Sequence, residues 1–211
     1  TSAVAGLSEE RATFQLAHQN IREGQVPDSA VLQALQNYPL KSYLIYLDLR
    51  ERLALAAPSE LAAFFQAYPA SFMTDDLRRR YLRQLAKNGD WAGYLAIDDA
   101  SLTTQEFRCQ RLVARGVQQG QASVIEEGLT LWDEGLSWPV TCQLLEAWLM
   151  EADVMRPVRV WTRIERLMEK NQSAEASRLA ANLGNEALAQ VTRWKAARKS
   201  PAVFLAQNTT I

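Results

Sequence analysis

The sequence predicts an all-α fold: an α-solenoid or superhelix of stacked antiparallel helix pairs, TPR-like, with about a dozen helices. Three observations predict it. Apolar residues recur at helical spacing in almost every segment, and no run alternates with the period of a strand. Turn signals built from Gly, Pro or Ser interrupt that pattern every ~10 to 20 residues. A repeat is also visible: Leu35-Gln36-Asn37-Tyr38-Pro39 and Phe65-Gln66-Ala67-Tyr68-Pro69 match in pattern about 30 residues apart, each closing a short helix before a longer one. Helices this short cannot hide an apolar stripe alone. Stacking gives each stripe a neighbour, which explains why Leu, Ala and aromatic residues are spread evenly along the chain.

Taken in order, Ser8 with Glu9 and Glu10 is expected to start a first helix, with Phe14, Ala17 and Ile21 on one face and Gly24 as its end. His18 borders that face. As the only histidine it has no second imidazole with which to share a metal or a triad, and a structural role is the better reading. Pro27-Asp28-Ser29 begins a second helix with Val31, Leu32 and Leu35, and Pro39 stops the pattern because its ring cannot continue a helix. A third runs from about Leu40 to Ala57 through Tyr43, Leu44 and Leu47. Pro58-Ser59 opens a fourth, with Leu61, Phe64, Phe65 and Tyr68 before Pro69. Thr74 is expected to cap a long fifth helix, with Asp75 and Asp76 as first-turn acids, Leu77, Tyr81 and Leu85 on its face, and Asn88-Gly89 as a left-handed end. The acid pair therefore reads as capping before it reads as catalytic or metal-binding. Asp90 then caps Trp91, Tyr94 and Leu95.

The stretch from Thr103 to Leu149 holds both cysteines. Thr103-Thr104-Gln105-Glu106 has the form of a capping box opening a helix through Cys109, Leu112 and Val113 to Gly116 or Gly120. Ser123-Val124-Ile125-Glu126 opens the next, which stops at Gly135. Ser137-Trp138-Pro139 puts a proline at the start of a third, with Cys142, Leu145, Trp148 and Leu149 on one face. Cys109 and Cys142 thus fall on the first and third helices of a triplet, which lie side by side in a stacked array. A single bridge in an oxidising compartment and two buried thiols in a reducing one both fit that placement. Further helices follow from Pro157 (Val160, Trp161, Ile164, Leu167, Met168), from Ser173 (Ala176, Leu179, Ala180, Leu183), through Ala187, Leu188, Val191 and Trp194, and from Ser200-Pro201. The tryptophans could stack on sugars or bases, but their spacing on apolar faces favours core packing. Trp138, in a turn, is the one expected to be partly exposed.

With 23 basic and 24 acidic residues in 211, the chain has no long-range attraction for nucleic acid or anionic lipid. Arg78-Arg79-Arg80 reads as a solvated helix face. No apolar run approaches the ~20 residues of a membrane span, since Asp48 cuts Tyr43-Leu44-Ile45-Tyr46-Leu47. The opening residues lack the basic start and apolar core of a secretory signal, so any export signal is expected to have been removed or to lie outside these residues. Neither a Gly-rich phosphate loop nor a Cys/His metal cluster is present, and no cofactor is expected.

Tyr68-Pro69, Leu77-Arg78-Arg79-Arg80-Tyr81-Leu82 and Leu85-Ala86-Lys87-Asn88-Gly89-Asp90-Trp91 resemble the amino-terminal region of the soluble lytic transglycosylases of Gram-negative bacteria. Glu106-Phe107-Arg108-Cys109, Leu131-Trp132-Asp133-Glu134-Gly135, Cys142 and Arg163-Ile164-Glu165-Arg166-Leu167-Met168-Glu169-Lys170-Asn171 follow in the family's order. The resemblance covers about residues 30 to 190. It implies a periplasmic chain in which residues 1–211 form a single right-handed α-superhelical domain, part of the U-shaped portion of a ring-like enzyme. The lysozyme-like domain that cleaves peptidoglycan, leaving a 1,6-anhydromuramoyl end, is not expected within this chain. The family's catalytic glutamate lies in a Glu-Ser motif, and no Glu-Ser dipeptide occurs here, so no residue inherits that role.

The resemblance also implies a Cys109–Cys142 disulfide, as a periplasmic location would allow, and peptidoglycan glycan strands as the partner of the parent enzyme, with other cell-wall enzymes as further candidates. The function it implies is a non-catalytic scaffold. The alternative is a free-standing helical-repeat module of the cell envelope that docks a protein partner.

Overall fold

The computed structural model describes residues 2–135 and 138–208. They form thirteen α-helices and two short 3-10 turns, with no strand among the described residues. The chain divides into two compact units, residues 1–99 and 100–211.

The first unit contains α1 (Ser2–Arg22), α2 (Ser29–Ala34), α3 (Lys41–Glu51), α4 (Pro58–Ala67), α5 (Phe72–Asn88) and α6 (Trp91–Ile97). Helix α1 packs on α2 and α3, α3 on α5, and α5 on α6. Its core is the predicted faces: Ala17, Ile21, Leu35, Leu44, Leu47, Leu61, Phe64, Leu77, Tyr81, Leu85 and Tyr94 are buried. The two repeat segments behave alike. Leu35 and Phe65 are buried, while half-buried Tyr38 and Tyr68 rest on Phe14 and Phe64 with ring centroids 5.3 and 4.9 Å apart.

Three boundaries differ from the sequence expectation. Helix α1 begins at Ser2, upstream of Ser8, because no proline or capping competitor interrupts the preceding residues. Helix α3 stops at Glu51 and not at Ala57. Arg52 turns back there, its guanidinium bonded to Asp48 in α3 and to Glu60 in α4, at distances down to 2.8 and 2.6 Å. Glu60 also accepts the Ala57 N–H at 2.8 Å, which seats Pro58 at the first position of α4. Helix α5 is capped by Ser71, whose hydroxyl accepts the Thr74 N–H. Thr74, expected as the cap, lies inside the first turn, buried, and its hydroxyl donates to the Tyr68 carbonyl at 2.7 Å. The far end conforms: Gly89 has φ +72°, the left-handed conformation that a glycine adopts without a Cβ penalty. Asp28 and Asp90 cap α2 and α6, accepting the Val31 and Gly93 N–H groups at 2.8 Å.

The second unit holds α7 (Gln105–Gln119), a 3-10 turn (Gln121–Val124), α8 (Ile125–Glu134), a second 3-10 turn (Val140–Cys142), α9 (Gln143–Glu151), α10 (Pro157–Glu169), α11 (Ser173–Leu183), α12 (Asn185–Lys199) and α13 (Pro201–Asn208). Helices α7, α8 and α9 pack mutually, and α10 to α13 pack in succession. The capping box expected at Thr103–Glu106 does not form. Thr104 is the N-cap, so the third helical residue is Phe107 and not an acid, and the Thr104 side chain makes no capping bond. Pro139 precedes the second 3-10 turn, with α9 proper starting after it; Ser137 lies outside the described residues.

Candidate functional site

The sequence singled out Cys109 and Cys142, and the structure brings them together. Cys109 lies on the buried side of α7, with Phe107, Leu112 and Val113. Cys142 ends the 3-10 turn ahead of α9. The two are joined as a disulfide, with Cα atoms 5.5 Å apart across a sequence separation of 33, and both are fully buried. The bridge ties the first and third helices of the triplet, while α8 sits against both.

Next to this staple lies a cluster that the apolar periodicity did not reveal. Arg163 falls on the buried arc of α10 among Val160, Ile164 and Leu167 and is only 4 % exposed. Its guanidinium lies 4.1 Å from the ring centre of Trp132 and 5.4 Å from that of Trp138, and it donates to the Trp132 carbonyl. Trp138, expected to be partly exposed, is therefore buried at 6 % exposure, its ring edge-on to Trp132 with centroids 5.0 Å apart. A turn position did not keep it in water because a cation and a second indole stand over it. Glu146 on α9, also 4 % exposed, receives both of its hydrogen bonds from Arg178 of α11 at 3.0 Å, and Arg178 also binds Glu175 at 2.7 Å. Burial pushes the Arg163 guanidinium down to about 10, against the pull of Glu175 and Glu146. Burial likewise raises the Glu146 carboxyl, opposed by Arg178.

Three arginines of this unit, Arg163, Arg166 and Arg198, share one task. The last carbonyls of a helix have no partner within it and carry its negative end. Arg163 and Arg166 of α10 donate to the carbonyls of Trp132 and Asp133 at the end of α8, the second at 3.2 Å. Arg198 of α12 does the same for Met168 at the end of α10 and holds the side chain of Asn171 at 2.8 Å. In each case an arginine clasps the helix two places earlier in the chain.

The other candidates resolve as structural groups. Asp75 sits in the first turn of α5. Asp76 accepts the Tyr46 hydroxyl at 2.9 Å and the Arg80 Nε at 2.6 Å; burial would raise its carboxyl, yet those two bonds hold it below the usual range. Within Arg78-Arg79-Arg80, Arg78 pairs with Asp99 at 2.8 Å and covers Phe65, and Arg80 pairs with Asp76. His18 is half-buried against Phe14. Of the tryptophans, Trp132, Trp138 and Trp148 are buried and Trp91, Trp161 and Trp194 half-buried. Among the described residues there is no group of three or more His, Cys, Asp or Glu suited to a metal, and no helix long and apolar enough to cross a membrane.

Several clefts open on this framework, and the two best formed lie one in each unit. In the first unit a space of about 620 Å³ between α1 and α3 is lined mainly by Phe14, His18, Leu40 and Tyr43. In the second a space of about 380 Å³ lies where α10 meets the end of α8.

The fold and these contacts define an all-α helical-repeat protein in which the charged residues that the packing buries are committed to capping and pairing. No family model matches the chain. It is similar to named relatives: 26% identical over 157 residues to the soluble lytic murein transglycosylase of Salmonella typhimurium, covering 74% of this chain and 24% of that one. It is 26% identical over 154 residues to the protein of the same name from Escherichia coli, covering 72% and 24%. The fold also aligns with the crystal structure of the 70-kDa soluble lytic transglycosylase of Escherichia coli, with TM-score 0.78 and 22% identity over 97% of this chain and 33% of that one. It aligns as well with an inactive mutant of the lytic transglycosylase Slt of Pseudomonas aeruginosa, with TM-score 0.71 and 26% identity over 90% and 32%. The resemblance read from the residues thus stands, and so does the helical fold. The chain spans about a quarter of the length of the curated relatives it matches.

Proposed function

We infer that the chain is a non-catalytic scaffold segment of a periplasmic enzyme that cleaves the MurNAc–GlcNAc β-1,4 bond of peptidoglycan, with formation of 1,6-anhydro-MurNAc, in cell-wall turnover. The observation that carries this reading is the combination of similarity along about three quarters of the chain to proteins named for murein transglycosylation with the commitment of its buried carboxylates. A general acid for glycoside cleavage needs a carboxyl with a raised pKa that faces an open cleft. Glu146 has the raised pKa but is closed over by Arg178, and Asp48 is held by Arg52. On this reading residues 1–211 form one right-handed superhelical domain, Cys109–Cys142 is a structural bridge formed in the periplasm, and glycan strands are met through the parent enzyme.

The test incubates purified sacculi with the full gene product and, separately, with residues 1–211, and identifies soluble products by mass spectrometry. Release of anhydromuropeptides by the full product and none by the chain is the expected outcome. Release by the chain alone would overturn the scaffold reading. A full product inert on sacculi would turn the assignment to a helical-repeat module that docks a protein partner.

A further inference from the structure

We propose that the cleft between α10 and the end of α8 is a carboxylate-binding site, occupied by an acidic group of peptidoglycan. The lactyl carboxylate of a muramic acid stripped of its peptide and a stem-peptide carboxylate share this chemistry. The naming of those sources rests on the function proposed above; the site itself rests on charge and geometry.

Three guanidiniums line the cleft, Arg159, Arg163 and Arg166, and a fourth, Arg178 of α11, acts on Arg163. The carboxylates that meet them are Asp133, Glu146 and Glu175. Arg178 holds both glutamates, and Arg159 pairs with Asp133 at 3.1 Å. Arg163, buried beneath, is attracted by Glu175 and Glu146 and so balances the remaining charge of that group. Arg166 is left over. It donates only to a neutral carbonyl, that of Asp133 at 3.2 Å, and no carboxylate lies within ion-pair distance of it among the described residues.

Arg159 and Arg166 both line the cleft and reach solvent. Each guanidinium carries further N–H donors beyond the single bond it makes. Arg163 closes the floor, where its largely dehydrated positive charge adds to the attraction for an anion. Thr162, also on the rim, uses its hydroxyl proton on the Val158 carbonyl and so does not bind the carboxylate itself, while Val158 offers a strongly exposed apolar edge. A carboxylate accepts two parallel N–H bonds from a guanidinium fork, and the attached methyl-bearing carbon suits the Val158 edge.

The test titrates the protein with N-acetylmuramic acid, with the dipeptide L-Ala-D-Glu, with neutral N-acetylglucosamine and with inorganic phosphate, followed by backbone amide NMR shifts. Saturable shifts at Arg159, Thr162 and Arg166 with either carboxylate probe are expected, with the stronger probe naming the source. They should weaken at least about tenfold in Arg159→Ala/Arg166→Ala, and in the wild-type protein as salt rises to screen the pair. The wild-type salt series keeps the proposal falsifiable if the double variant fails to fold. Equal shifts with N-acetylglucosamine, tighter binding of phosphate, or no saturation by either carboxylate would overturn it. Those results would leave the sacculus experiment untouched, so the two readings fail separately.

Discussion

Replacing Gly116 by alanine tests the packing of the disulfide-tied triplet directly. Gly116 lies in the last turns of α7, where alanine is favoured over glycine by up to ~1 kcal/mol through helix propensity alone. Space opposes it. A methyl carbon there would lie 2.4 Å from Cζ3 and 3.0 Å from Cη2 of Trp148, and 3.1 Å from a methyl of Val124. Trp148 and Val124 are both buried, so the ring cannot swing into water and α7 and α9 must separate. Overpacking of this kind costs ~1–3 kcal/mol or more, and a clash with a rigid ring belongs at the upper end, so net destabilisation is about 1–2 kcal/mol.

Two other glycines have more room. Gly128→Ala meets only Leu145 and Leu149 side-chain tips at 3.0 and 3.3 Å, and Gly6→Ala meets nothing within 4 Å. The first should be near neutral and the second neutral to stabilising by under ~1 kcal/mol. Urea unfolding followed by tryptophan fluorescence is the assay, because every tryptophan except Trp91 lies in the second unit and reports Gly116 and Gly128 directly; Gly6→Ala is read by far-UV circular dichroism. A Gly116→Ala protein as stable as Gly128→Ala would show that α7 and α9 do not approach as described.

The remaining predictions concern the bridge and the buried charges. Cys109→Ala/Cys142→Ala should lower the stability of the second unit by roughly 3–4 kcal/mol, the chain-entropy value for a loop of 33 residues; identical urea midpoints with and without reductant would count against the bridge. Arg178→Met removes both hydrogen bonds of the buried Glu146 and leaves only Arg163 to attract it, a loss of up to ~3–5 kcal/mol for a broken buried pair. Because burial raises the folded-state pKa of Glu146 above its ordinary 4.5, protonation should partly rescue that variant: its stability is highest below about 4.5 and falls as pH rises through the folded value, readable as a midpoint against pH. Glu60 has the opposite sign. Arg52 and the Ala57 N–H hold it down to about 2 from 4.5, so its contribution is present above 4.5 and disappears as pH falls toward 2. Glu60→Gln should flatten that part of the acid-unfolding curve of the first unit, seen by circular dichroism.

The helical class, the Leu35–Pro39 and Phe65–Pro69 repeat, the Gly89 end of α5, the start of α2 near Pro27-Asp28-Ser29 and the cap at Asp90 were all legible because each is local: a few neighbouring residues contain the physics. Helix starts were less so. Ser71 and Thr74 are equally good caps by type, and only the Tyr68 carbonyl, which captures the Thr74 hydroxyl, decides between them. The cysteine pair could be placed on facing helices but not joined by spacing alone. The Arg163, Glu146 and Arg178 cluster was missed because it sits in positions that periodicity assigns to apolar side chains. One signal was available: an arginine between Val160 and Ile164, and a glutamate beside Leu145, each interrupting an otherwise apolar arc.

Those interruptions explain how short helices can be held in register without long loops. Apolar stripes hold neighbouring helices together but leave sliding along the axis weakly resisted, because the hydrophobic effect is non-directional. A guanidinium that must meet the end of a helix is directional. Arg163 and Arg166 fix α10 against the last turn of α8, and Arg198 fixes α12 against the last turn of α10, so register passes between alternate helices at the same end. The cysteine bridge does the equivalent between α7 and α9 by a covalent route. Arg198→Met should therefore loosen α12 and α13 selectively. Amide exchange would rise there and remain protected in α7 to α9, whereas uniform loss of protection across the second unit would mean that the clasp has no part in setting register.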